Sequence, residues 1–299
     1  MNKETTKDKI GYYLLFGISY LHALLPLRVL YVWSDILYLF VYHVVRYRRK
    51  IVRKNLVNSF PELSEKEIGA IEKRYYHHLG DYYMETIKIL HISDDEMRRR
   101  MVFENPEIMR QLTKDGQWCF LALGHYANWE WVSSIGLHTP DYLKPAQIYK
   151  KLKNKSFNRL FFQIRSRFQP LSIEKDDTLR AIVKEKNKGK TLIVGFVADQ
   201  RPQPNSIHYW TNFLNQDTPV QTGMERIARK MGFSMAFLDV KVAKRGYYRA
   251  QIVPLTPNAS EEPEFSITEQ YMRKFEQTIL RDPAHYLWSH NRWKFQREH

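Results

Sequence analysis

The chain has 299 residues, 43% of them hydrophobic, enough for one sizeable core, and carries 47 Lys and Arg against 32 Asp and Glu, a net charge of +15. An excess of that size points to an anionic partner, either nucleic acid or a membrane surface with its lipid phosphates, and the 14% aromatic content suits both. The single cysteine, Cys119, excludes an intrachain disulfide framework and a cysteine-based zinc site, and its apolar surroundings predict core packing.

Two apolar stretches open the chain, Ile10–Pro26 and Leu30–Val45, the second carrying Asp35 and His43. Neither reads as a cleavable signal peptide, because the second follows directly and no small-residue cleavage site is evident. Each is short for a span, since crossing the hydrocarbon takes about 20 residues, and a pair of buried helices in a soluble protein is the alternative. Tyr and Trp near the segment ends, followed by the basic cluster Arg46, Arg48, Arg49, Lys50, Arg53 and Lys54, favour a membrane anchor over residues 8–45. The expected organisation is therefore an anchor over residues 1–45, spanning or interfacial, and a single body over 46–299.

Ser64 and Glu67 form a capping box for a helix running to about Leu90. Its stripe of Ile68, Ile71, Tyr75, Leu79, Tyr82 and Tyr83 reads as core. From Trp118 onward strand and helix patterns alternate, with strands predicted at 118–123, 145–149, 168–173, 191–197, 235–242 and 248–255. Helices are predicted at 128–137, 156–166, 177–188, 220–231 and 264–281; Gly189 and Gly232 supply stop signals for the third and fourth. This alternation predicts an α/β fold, a central mostly parallel or mixed sheet flanked by helices. The long stretch Arg201–Pro219, with Tyr209, Trp210 and Phe213, reads as a substrate or membrane flap.

Chemistry concentrates in Gly124-His125-Tyr126-Ala127-Asn128-Trp129-Glu130-Trp131, which follows a predicted buried strand. His125 and Glu130 are five residues apart, about 140° on a continuous helix, so the pair would not share a face. If His125 ends the strand and Asn128 caps the next helix, imidazole and carboxylate can meet as a general base and its acidic partner. A histidine near a strand end is also commonly structural. Asp199 follows the strand Thr191–Val197 in the same manner, although alone it could be a turn or cap residue. Without a Gly-x-Ser-x-Gly elbow an acyl-serine route has no support, and His-x-x-x-x-Glu does not match the helical zinc pattern, so no metal site is expected. What remains is direct transfer: His125 removes a proton from an acceptor hydroxyl, which attacks an activated acyl carbonyl. Lys150, Lys151, Lys153 and Lys155 with Arg159, Arg165 and Arg167 gather positive charge after a strand, either a solvated face or a phosphate site; Arg165 is the preferred site arginine.

Taken in order, these blocks resemble a known family. The anchor, Asn55-Leu56 with Phe60-Pro61-Glu62, Gly124-His125 with Asn128-Trp129-Glu130, Ile148-Tyr149-Lys150, Ala198-Asp199-Gln200 and Tyr286-Leu287-Trp288-Ser289-His290 with Arg292-Trp293-Lys294 are similar to the lipid A biosynthesis (late) acyltransferases, within the lysophospholipid acyltransferase superfamily. The resemblance implies His125 and Glu130 as a catalytic dyad, Glu130 orienting His125, with Arg165, Asp199, Asn128, Asn55 and Lys150 in supporting or substrate-binding positions. It implies no cofactor, a thioester of acyl carrier protein or CoA as acyl donor, a hydroxyl of a lipid A precursor or related lipid as acceptor, and a catalytic domain on the cytoplasmic face of the inner membrane. Departures are Ala127 for the usual Gly, Arg201 where an acidic residue often stands, Ser59 for a common Cys and Asn215 near an expected Gly.

Two other acceptors fit the same chemistry, a lysophospholipid or an amino-acid-containing lipid. From a different class, a basic nucleic-acid-binding protein would explain the charge but leaves residues 10–45 unexplained and shows no recognised binding motif. No nucleic-acid partner is therefore expected; the expected partners are the acyl donor, a lipid acceptor and an anionic membrane surface.

Overall fold

Two apolar helices, α1 (Thr6–Leu24) and α2 (Leu27–Leu39), open the computed structural model, which describes residues 5–297. The outer ends of the expected segments 1–45 and 46–299, residues 1–4 and 298–299, lie outside the described residues. Thr5 and Asp8 close a capping box on α1, and Pro26 sets the turn into α2. The second helix continues through a π-helical stretch to Val45 and stops where Arg46 turns left-handed. As one piece, Leu27–Val45 is long and apolar enough to cross a membrane by length and composition.

Each of the two helices leaves one apolar face exposed. Ile10, Leu14, Ile18 and Leu21 on α1, and Val32, Ile36, Phe40 and Val44 on α2 and its continuation, form exposed stripes at helical spacing. The opposite stripe of α2, Leu27, Leu30, Ser34 and Tyr38, is buried. The adjoining basic cluster is only partly free to meet a membrane: Arg49 and Arg53 bind buried Glu72, and Arg48 donates to the Ser289 carbonyl. Arg46, Lys50 and Lys54 remain exposed.

Helix α3 (Arg49–Ser59) leads into α4 (Glu65–Lys88), the longest of the described helices, whose capping box forms as expected, Ser64 N–H donating to Glu67 Oε2 at 2.8 Å. Short α5 (Asp94–Arg100), β1 (Met101–Phe103) and α6 (Ile108–Leu112) follow. Then come β2 (Cys119–Leu123), β3 (Leu143–Tyr149), α7 (Lys155–Arg165), β4 (Leu171–Glu174), α8 (Thr178–Lys186) and β5 (Thr191–Val197). A hairpin of β6 (Trp210–Phe213) and β7 (Gln216–Pro219), then α9 (Gly223–Met231), β8 (Ser234–Lys244), β9 (Tyr247–Thr256) and α10 (Ser266–Arg281) complete the body.

The main sheet runs β1-β9-β8-β2-β5-β3-β4, with neighbours parallel except β8 against β9. This is the expected mostly parallel sheet with helices around it. Every residue of β2 is buried, Cys119 included, because helices cover both faces of a central parallel strand. After β2 the chain crosses to β3 and returns to β5 between them; after β5 it crosses to β8 on the other side of β2. The crevice beyond the carboxyl ends of β2 and β5 is thus where the connections diverge, the favoured place for a site in such sheets.

Two expected elements differ. Residues 128–137 form no α-helix but a 3-10 stretch, Trp131–Leu137. Arg201–Pro219 is not an open flap: its second half is the β6–β7 hairpin, with both Leu214 and Asn215 at positive φ in the turn. Phe213 is fully buried, Tyr209 stacks on Phe265, and the hairpin is tied down by Leu214 N–H to Glu276 and by Asn215 Nδ2 to the Ser59 carbonyl. Gln216 also reaches the Ser59 hydroxyl, so Ser59 and Asn215, both departures from the family pattern, belong to one contact.

Candidate active site

Strand β2 ends at Leu123 and the chain turns at Gly124, where a Cβ would collide with the buried ring of Phe275; only glycine fits. The next residues are zipped to the C-terminal segment: Leu287 N–H donates to His125 O at 3.1 Å and Ala127 N–H to His285 O at 2.9 Å. Asn55 holds that segment in turn, donating to the carbonyls of Trp288 and His290 at 2.8 and 2.9 Å. Asn55 therefore sits behind the site as a brace for its C-terminal wall. Ala127 is buried with φ 54°, a left-handed conformation that costs a non-glycine residue roughly 1 kcal/mol.

His125 meets Asp199, not Glu130. Its Nδ1 lies 2.7 Å from Asp199 Oδ1, and the carboxylate is 1% exposed. With Asp199 accepting Nδ1–H, Nε2 keeps its lone pair, and the Gln200 amide lies 3.4 Å from it. Burial acts to raise the Asp199 carboxyl, but the His125 charge and hydrogen bonds outweigh it and hold the group below its ordinary value.

Glu130 is taken by Arg165 in a bidentate pair, Nε to Oε2 at 2.8 Å and Nη2 to Oε1 at 2.5 Å, with Tyr82 Oη 3.5 Å from Oε1. Burial opposes the Arg165 charge, yet the adjacent carboxylate prevails and holds the guanidinium above its ordinary value. The expected contact between Glu130 and His125 therefore does not form. The loop between them turns the Glu130 side chain toward α7, while β5 delivers the imidazole's partner from its own carboxyl end. Of the two arginines that sequence could not separate, Arg165 faces the cavity and Arg167 turns away to Asp94.

Helix α4 grips this loop from one face, through residues at i, i+4 and i+7. Burial pushes the His78 imidazole down to about 3, so it is neutral and its Nε2–H donates to the Ala127 carbonyl at 3.1 Å. Tyr82 stacks on Trp129 at 4.0 Å between ring centroids. Glu85 accepts from Asn128 Nδ2 at 2.7 Å, and its backbone carbonyl accepts from the Trp131 indole at 2.9 Å. Asn128 is not the expected N-cap, since the 3-10 stretch is preceded by Glu130; its Oδ1 accepts from Trp131 N–H at 3.1 Å within the loop, and the residue is fully buried and does not line the cavity. His78 and Glu85 were not singled out from sequence; their register with Tyr82, at i, i+4 and i+7, was the available signal.

A cavity of about 510 Å³ opens in front of His125. Leu121 and Leu123 of β2, Ile193 and Val197 of β5, and Val132 and Ile135 give it an apolar interior. His125, Glu130, Arg165, Gln200 and the exposed Lys150 supply its polar wall. An apolar trough ending at a histidine and an arginine suits a fatty acyl chain whose reacting carbonyl stops at the imidazole.

Residues 2–295 match the family described as bacterial lipid A biosynthesis acyltransferase. The chain belongs to that family. Its relatives include a lipid A biosynthesis lauroyltransferase from Escherichia coli K12, 25% identical over 283 residues that cover 93% of this chain and 89% of the relative. A lipid A biosynthesis palmitoleoyltransferase of the same strain is 24% identical over 281 residues, again 93% and 89% of the two chains. A lipid A biosynthesis acyltransferase of Shigella flexneri matches to the same extent, at 24% identity. This chain is accordingly an acyltransferase of lipid A biosynthesis, an enzyme with an acyl donor and a lipid acceptor, and membership favours that reading over nucleic-acid binding.

Proposed function

We propose that this lipid A acyltransferase moves a fatty acyl chain from a thioester of acyl carrier protein or CoA to a hydroxyl of a lipid A precursor, with His125 as general base. The observation that carries the reading is the Asp199–His125 pair, which leaves the Nε2 lone pair, met by the Gln200 amide at 3.4 Å, on the wall of an apolar cavity. Nε2 takes the acceptor's hydroxyl proton as the oxygen attacks the thioester carbonyl. Collapse of the tetrahedral oxyanion breaks the carbon–sulfur bond, and the departing thiolate takes the proton back from the imidazolium, leaving an ester and a free thiol. Asp199 orients the ring and stabilises its charged form. Glu130 sets the Arg165 guanidinium against the cavity wall, where it can meet charge developing on the substrate, and Lys150 at the rim suits a phosphate of either substrate.

The exposed apolar stripes of α1 and α2 support residues 1–45 as a membrane anchor for the catalytic body, 46–299. The proposed location of that body is the cytoplasmic face of the inner membrane. Purified enzyme in detergent micelles, given acyl carrier protein and CoA thioesters with lipid A precursors, lysophospholipids and amino-acid-containing lipids, tests the proposal by mass spectrometry of the products. The expected outcome is acylated lipid A precursor, reduced about 10²- to 10⁴-fold in His125→Ala. Transfer by His125→Ala at the wild-type rate would end the general-base assignment, and transfer to one of the other lipids alone would reassign the acceptor.

A further inference from the structure

Helix α4 lies between the N-terminal helices and the site, and its polar residues divide between the two. Toward the N-terminal pair, Asp81 accepts from Ser34 at 2.6 Å, and Lys88 Nζ donates to the carbonyls of Ala23 and Leu25 at 2.8 and 2.9 Å, closing the end of α1. Toward the site, His78 and Tyr82 hold Ala127, Trp129 and Glu130.

Glu85 belongs to both sets. Its carboxylate accepts from Tyr31 of α2 at 2.9 Å, from Asn128 of the site loop at 2.7 Å and from Tyr248 of β9 at 2.6 Å. Three donors converge on one fully buried acceptor. Asn128, one of those donors, also accepts from Trp131 N–H at 3.1 Å, so its amide plane sets the path of the backbone between His125 and Glu130. The backbone carbonyl of Glu85 holds Trp131 as well, which clamps the loop at two points three residues apart.

We infer that Glu85 is a positioning residue that couples the seating of the N-terminal helices to the geometry of the His125 loop. The inference rests on the proposed chemistry for its catalytic readout and on geometry alone for the coupling. Loss of the Tyr31 donor frees one oxygen of Glu85 and lets the carboxylate turn on its remaining donors, carrying Asn128 with it. A buried hydrogen-bond network of this kind makes its members' effects non-additive.

The test uses the full chain in micelles, with Tyr31→Phe, Tyr248→Phe, Glu85→Gln and the Tyr31→Phe/Glu85→Gln double variant. Glu85→Gln presents an amide N–H₂ where Asn128 or a tyrosine must donate, so kcat should fall about tenfold or more with KM within about twofold. Tyr31→Phe, which alters only an N-terminal hydroxyl, should lower kcat by a few fold and have no further effect in the Glu85→Gln background. Amide hydrogen exchange at Ala127 and Trp131 should accelerate in each variant, whatever the substrate proves to be. If wild-type enzyme transfers no acyl group to any lipid, the functional reading fails, and exchange still decides the coupling. Unchanged exchange at those amides in Tyr31→Phe, or kinetic effects of Tyr31→Phe and Glu85→Gln that multiply independently, would overturn the inference. Should Glu85→Gln not fold, Tyr31→Phe with Tyr248→Phe supplies the same cycle.

Discussion

The inner and outer acid pairs of the site, Asp199 with His125 and Glu130 with Arg165, are built from different materials. The inner pair joins the carboxyl ends of two adjacent parallel strands, so its spacing is fixed by the hydrogen-bonded register of β2 and β5, which pairs Leu123 with Val197. The outer pair joins a loop residue to the last residue of α7, and depends on the loop being held by α4. The inner pair engages one imidazole nitrogen and leaves the other only the Gln200 amide at 3.4 Å, whereas the outer pair consumes both Glu130 oxygens. The difference teaches that nearness in sequence is a poor guide to partnership in a parallel sheet. The acid five residues away turns to Arg165 of α7, and the acid 74 residues away stands at the neighbouring strand end.

That contrast can be broken from the outside first. Arg165→Ala strands the Glu130 carboxylate, 4% exposed, without its cation and should destabilise the fold by about 3–5 kcal/mol, read by thermal or chemical unfolding in micelles. Glu130→Leu/Arg165→Met, which removes both charges, should recover much of that loss yet stay impaired in transfer. Recovery of transfer as well would mean that the outer pair is only packing.

A smaller effect sharpens the account of the loop between the pairs. Burial pushes the Glu85 carboxyl up to about 7; its hydrogen bonds from Tyr248, Asn128 and Tyr31 pull the other way, and the charge of Asp81 adds to the rise. The folded chain therefore holds this proton more tightly than the unfolded one. Its stabilising share is complete below the ordinary carboxyl range and is lost as pH rises to about 7. Glu85→Gln should remove that slope from unfolding midpoints measured between pH 5 and 8, and a slope unchanged in the variant would assign it to another group.

Much of the frame was legible. Alternation and apolar runs located β2, β5, β8 and β9 within a few residues, and the Ser64–Glu67 box located the start of α4. Two strand ends carrying His125 and Asp199 were also legible, because such ends converge whenever their strands are neighbours; that β2 and β5 are neighbours was not, since β3 and β4 intervene in sequence. The β6–β7 hairpin escaped notice because its strands are four residues each and its turn puts Leu214 and Asn215 at positive φ without a glycine to announce it. The expected helix from 128 gave way to a 3-10 stretch in a loop whose Asn128 and Trp131 are both held by Glu85. No local pattern records a partner 43 residues upstream.

Side-by-side turnover of Asp199→Asn and Glu130→Gln under saturating thioester and lipid A precursor bears on the central claim most directly. With His125 oriented by Asp199, the asparagine presents an amide to Nδ1 and favours the wrong tautomer, so kcat should fall by about 10²- to 10⁴-fold. Glu130→Gln, which still offers Arg165 one acceptor oxygen, should lose far less. An Asp199→Asn enzyme that turns over like wild type, beside a Glu130→Gln enzyme that does not, would return the orienting role to Glu130 and contradict the account.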